Sequence, residues 1–133
     1  MSVQCQGHGV IENKLSVDQI THVCGALQAG AAGGVTAVVG FNTSKVCIER
    51  GTGHTIENCQ TTLGIASATG SSFAYYEVNA FCSRFLNLFV TCKGGEGKID
   101  EAGSKKLILT AFNTEKHHTC VGADENCIKA ILS

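Results

Sequence analysis

The sequence predicts a small disulfide-stapled α+β sandwich, with an antiparallel sheet and two main helices on one face. Three observations predict it. Eight cysteines are spread from end to end of 133 residues, as Cys5, Cys24, Cys47, Cys59, Cys82, Cys92, Cys120 and Cys127. Apolar residues make up 44% of the chain, enough for a core that bridges reinforce rather than replace. Hydrophobic periodicity changes along the chain in the order strand, helix, strands, helix, strand. No internal repeat and no second unit interrupts that order, so residues 1–133 read as one domain.

Each element has its own signal. Ser2 to Gln6 is a short first strand carrying Cys5. Ser16-Val17-Asp18-Gln19 has the form of a capping box, and Val17, Ile20, Cys24 and Leu27 follow at helical spacing. A helix is therefore expected over about 16–28. The Ala/Gly-rich run from Gln28 to Gly34 is a loop. Val35 to Phe41 and Lys45 to Ile48 are apolar and β-branched, hence strands, with Thr43-Ser44 as a turn or bulge between them. Gly51 to His54 is a turn. Thr55 to Ser67 fits both periods, and its Thr and Ile content favours a strand. The strongest signal is Ser72 to Cys92, where Tyr75, Val78, Phe81, Cys82, Phe85, Leu86 and Phe89 form one apolar stripe. Ser71 or Ser72 caps this helix and Gly94-Gly95 ends it. The stripe reads as core. Lys93 to Lys106 is Gly-rich and charged, a solvated loop. Lys106 to Phe112 is the closing strand, and the rest is a short tail held by Cys120 and Cys127.

The even cysteine count reads as a disulfide framework. A zinc site would place two ligands a few residues apart, whereas the closest pair here, Cys120 and Cys127, is seven apart. No Cys-x-x-Cys redox motif occurs. Reduced core thiols are the remaining alternative. Disulfides persist in oxidising compartments, so a secreted, extracellular protein is expected. The N-terminus, Met-Ser-Val-Gln-Cys, has no apolar leader region. It fits an expressed mature chain in which Met1 replaces a removed leader, or else a cytosolic chain, and the cysteines favour the first. Asn42-Thr43-Ser44 is a glycosylation sequon, compatible with secretion.

Net charge is −1 with both signs interspersed. No basic stripe marks a nucleic-acid partner, and no apolar stretch reaches the length of a membrane span.

Three stretches resemble the virally encoded killer toxin of smut fungi, the killer protein four family. Lys45-Val46-Cys47, followed by Gly51-Thr52-Gly53 and Ile56, is similar to that family's Lys-Val-Cys and Gly-Thr-Gly turn. The run from Cys82 to Cys92, with Leu86, Asn87 and Leu88, is similar to its cysteine-bearing helix. Leu107 to Phe112, with Cys120 beyond, is similar to its closing strand and last cysteine. Cys5 and Cys24 fall at similar positions near the start. Two family cysteines that bridge one another are both missing here, where Gln6 to Gly9 and Lys93 to Gly95 stand. The resemblance implies the bridges Cys5–Cys92, Cys24–Cys120 and Cys47–Cys82, and leaves Cys59 with Cys127. It also implies a secreted toxin or fungal effector that binds a host or competitor cell-surface protein without catalysis. A calcium channel is one such target, with calcium relieving the block. The family's critical lysine falls on Lys45, the candidate binding residue. A compact ammonium on a flexible stem suits a cation site or carboxylate ring; the plainer reading of Lys45 is a solvated charge at a strand edge.

Other constellations carry less. His54 with Glu57, or Glu115 with His117 and His118, together with Lys45, are the groups a small secreted hydrolase such as a ribonuclease would use. They form no spaced motif and read as surface polar residues. His117-His118 with Glu115 is a poor metal set, and no cofactor is expected. An even framework leaves no lone thiol for nucleophilic chemistry. Gly51 to His54 is too short for a phosphate loop, and Gly7 and Gly9 around His8 read as a turn. A secreted binding protein for another ligand remains a further alternative, although two Tyr, no Trp and six Phe argue against glycan stacking.

Overall fold

A computed structural model of the chain describes residues 2–7, 14–31, 35–37, 46–49, 59–67, 72–101, 103, 106–113, 116–117 and 125–133. The elements among them are β1 (Ser2–Cys5), α1 (Val17–Ala31), β2 (Val35–Ala37), β3 (Val46–Glu49), β4 (Cys59–Ser67), β5 (Ser72–Ala74), α2 (Tyr75–Thr91), β6 (Gly97–Asp100), β7 (Leu107–Asn113) and α3 (Glu125–Leu132). Five strands form one sheet in the order β1-β6-β7-β4-β3, with every neighbouring pair antiparallel. β2 and β5 pair as a separate two-stranded ribbon. The fold is α+β, with both long helices on one face of the sheet.

The two-residue period of the strands builds that face. Leu63 and Ile65 on β4 stand opposite Ala111 and Leu109 on β7, and Leu109 stands opposite Ile99 on β6. All are essentially inaccessible to solvent. They form one core cluster with Ile20, Val23 and Cys24 of α1 and Phe81, Cys82, Phe85 and Leu88 of α2. Gln19, also buried, accepts a hydrogen bond at 2.6 Å from Thr61 Oγ1 of β4. The residue that the capping box assigns to the helix start thus also ties α1 to the sheet. Phe112, next to Ala111, turns to the opposite face and packs against Ile131 and Cys127 of α3.

Several expectations need correction. Ser72–Ala74 is strand rather than the first turn of the second helix, because it pairs with β2. Along α2 the buried residues Phe81, Phe85 and Leu88, with Cys92 just past its end, follow at helical spacing, so Leu88 faces the core and Leu86 is exposed. The expected loop over 93–106 contains β6. Only one large apolar residue, Ile99, marks this strand, and it is formed by pairing on both sides, with β1 and β7. The expected tail contains α3. This helix is too short to stand alone; Glu125 in its first turn and Lys129 in its last suit the helix dipole, and Ile131 anchors it to Phe112. Of the ambiguous stretch Thr55 to Ser67, Cys59–Ser67 is strand, as β4, and residues 55–58 lie outside the described residues. Among the described residues no helix is long and apolar enough to cross a membrane.

The end of α2 positions both the entry to α1 and the start of β6. Gly94 N–H donates to Phe89 O at 2.8 Å, and Lys93 N–H to Val90 O at 3.2 Å. Lys93 itself has a φ of 54°. This is a Schellman closure in which the left-handed position holds a lysine, one residue before the expected Gly94. Gly94 O then accepts the Leu15 N–H at 2.6 Å, fixing the entry to α1. Three residues on, a Cβ at Gly97 would lie 2.5 Å from Gln4 O of β1 and 3.1 Å from Leu88 Cδ1. Strand β6 lies this close to β1 and beneath Leu88 of α2 only because this residue has no side chain.

Gly97→Ala is expected to lower the unfolding free energy by about 1–3 kcal/mol through overpacking. Lys93→Gly, which relieves a left-handed non-glycine residue, is expected to raise it by about 0.5–1 kcal/mol. Urea midpoints at constant slope check both.

Candidate functional site

Of the candidate residues, the cysteines are those that the fold organises most visibly. Cys5 at the end of β1 and Cys92 at the end of α2 form a disulfide with a Cα–Cα distance of 5.3 Å. It is one of the bridges that the resemblance implied. Cys127 on α3 is also disulfide-bonded, so the C-terminal helix is covalently held. Cys47 and Cys59 stand in β3 and β4, and Cys120 lies outside the described residues.

Cys24 and Cys82 depart from expectation. They are buried free thiols, not ends of the bridges Cys24–Cys120 and Cys47–Cys82. The reason is the packing of the two long helices. Cys24 lies one turn beyond Ile20 on α1 and Cys82 one turn before Phe85 on α2, both in the seam over the sheet. Hydrogen bonding to Cys82, with burial, pushes the Cys24 thiol far above the ordinary thiol range, while the same interaction lowers Cys82.

A second cluster lies just beyond the C-terminal end of α2. Glu96, between Gly95 and Gly97, is fully buried. Its Oε2 accepts the Asn113 N–H at 2.5 Å and its Oε1 contacts His117 Nε2 at 2.9 Å. The Glu96 backbone carbonyl accepts the Gln6 N–H at 2.7 Å. His117 also meets the Phe112 ring edge-on, with centroids 6.1 Å apart. One residue thereby joins β1, β7 and the turn after β7. Glu96 carries no motif, since a charged residue in a Gly-rich run reads as solvated. Its one signal is the glycines around it, which let backbones approach closely. His117, weighed as an acid–base group, is held against Glu96 with its ring largely covered. His54, Glu57, Glu115 and His118 lie outside the described residues.

Two ion pairs finish the β6–β7 hairpin. Arg84 of α2 pairs with Glu101, whose side chain is mostly buried, and Lys98 pairs with Asp100 at 3.1 Å. Lys45, the candidate binding residue, lies outside the described residues. It immediately precedes β3, which is an edge strand of the five-stranded sheet. No family model, curated protein or solved structure matches the chain.

Glu96→Ala would leave the partly buried Asn113 N–H and the His117 ring without this acceptor. It is expected to cost about 3 kcal/mol, and Glu96→Ala/His117→Ala together less than the sum of the single changes, as a double-mutant cycle by urea unfolding would show.

Proposed function

We propose that this chain is a secreted killer-toxin-like protein or fungal effector that binds a host or competitor cell-surface target without catalysis. A calcium channel is the target class that the likeness to the smut-fungus killer toxin suggests. The observation that carries the reading is covalent closure at both ends of the fold. Cys5–Cys92 ties the first strand to α2, and the disulfide at Cys127 holds the last helix. Such cross-links belong to oxidising compartments, and they suit a protein that must keep its shape unaided outside a cell. Lys45 leads directly into the edge strand β3. Edge strands sit at the margin of a sheet, where a charged residue is both tolerated and accessible to a partner. With a net charge of −1, recognition relies on local contact rather than on long-range steering.

Purified protein added to sensitive fungal or plant cells is expected to inhibit growth at micromolar dose, with added calcium relieving the effect. Lys45→Gln is expected to reduce potency about tenfold, the order of one charged contact. Absence of inhibition on both cell types removes the toxin reading. Full potency of Lys45→Gln removes the role of Lys45.

A further inference from the structure

We infer that Cys24 and Cys82 are the two halves of one structural disulfide, a cross-link between α1 and α2 that closes in an oxidising compartment. The observation is geometric. Both thiols are free and buried, and both belong to the one core cluster in which α1 and α2 pack against each other. A disulfide needs Cα atoms within roughly 7 Å, a separation that side chains meeting between packed helices can reach. Their neighbours in that cluster, Ile20 and Val23 on α1 and Phe81 and Phe85 on α2, hold the two helices together there. A metal site is not suggested by two buried thiols alone, since structural zinc takes four ligands.

The reaction is a thiol–disulfide exchange with a small-molecule disulfide as oxidant. Cys82, as its thiolate, attacks one sulfur of the oxidant and expels one thiolate. Cys24 then loses its proton and attacks the Cys82 sulfur, expelling the second. Two protein thiols lose two electrons in all. The oxidant's S–S bond is reduced to two thiols, which take up the two protons. Because both groups are buried in the folded chain, the exchange proceeds while the helices are still apart or transiently separated.

The consequence for the framework is specific. With Cys5–Cys92 formed and Cys24–Cys82 closed, the four cysteines that remain are Cys47, Cys59, Cys120 and Cys127. Cys127 then takes its partner from among the other three. The arrangement differs from the one that the killer-toxin likeness implied, and it stands or falls without reference to any toxic activity.

The full chain, refolded in a mixture of reduced and oxidised glutathione, would be cut by protease without reduction and its peptides identified by mass spectrometry. The expected result is a linked peptide pair containing Cys24 and Cys82, alongside one containing Cys5 and Cys92. Linked peptides joining Cys24 to Cys120, or Cys47 to Cys82, would overturn the inference. So would free thiols at positions 24 and 82 that alkylate once the oxidised protein is denatured. Two variants guard against a misfolded sample. Cys24→Ala is expected to release one free thiol, at Cys82, and Cys24→Ala/Cys82→Ala to release none while keeping the other bridges. A free thiol appearing at any other position in the single variant would contradict the pairing.

Discussion

The covalent joint between Cys5 and Cys92 is the constraint on which the rest of the structure depends. It spans 87 residues of chain and brings the end of the first strand onto the end of α2. Everything nearby is shaped around that crossing. The helix must stop at once, and the left-handed Lys93 stops it. The chain must then return beside β1 and beneath α2 as β6, and only a residue without a side chain fits at Gly97. Gly94 O takes the Leu15 N–H, so the start of α1 is fixed by the same few residues. A loop of this length, closed by one bond, loses much of the freedom of the unfolded chain.

Around the joint lies a second, non-covalent layer. Glu96 places a carboxylate in a fully buried position, which is costly unless its oxygens are satisfied. Asn113 N–H and His117 satisfy them, and the backbone of Glu96 receives the Gln6 N–H. Beside it, Gly7 N–H donates to Leu132 O at the end of α3 at 2.8 Å. The first and last described segments therefore meet at one end of the sheet. The helices α1 and α2 cover one face, α3 reaches the other through Ile131 and Phe112, and β3 stands at the margin. This body is braced from both ends, as the binding role proposed for it requires.

The features legible in the sequence were those carried by local pattern. Phe81, Phe85 and the cysteine at 92 repeat at helical spacing, and Leu107 to Phe112 reads as strand without help from neighbours. The α+β class followed from these. Strand β6 was hidden because its residues include a single large apolar side chain, and its existence comes from partners distant in sequence. Helix α3 was hidden because it is short and is held by tertiary links, the Cys127 disulfide and the packing of Ile131 and Cys127 on Phe112, that local pattern does not show. The candidate site divides the same way. A disulfide framework was legible from the count and spread of cysteines, while the meeting of Cys24 with Cys82 depends on how two helices pack. Glu96 reads as solvated because local composition says nothing about a carboxylate enclosed by tertiary structure.

The most direct test of the central role of this joint is the unfolding free energy of Cys5→Ala/Cys92→Ala beside the parent chain, both measured in urea under oxidising conditions. A loss of about 4–5 kcal/mol is predicted, the entropy of a loop of this length together with disturbance of the packing around Gly97. A loss below about 1 kcal/mol, with an unchanged denaturant slope, would contradict the claim that the rest of the fold is organised around that bond.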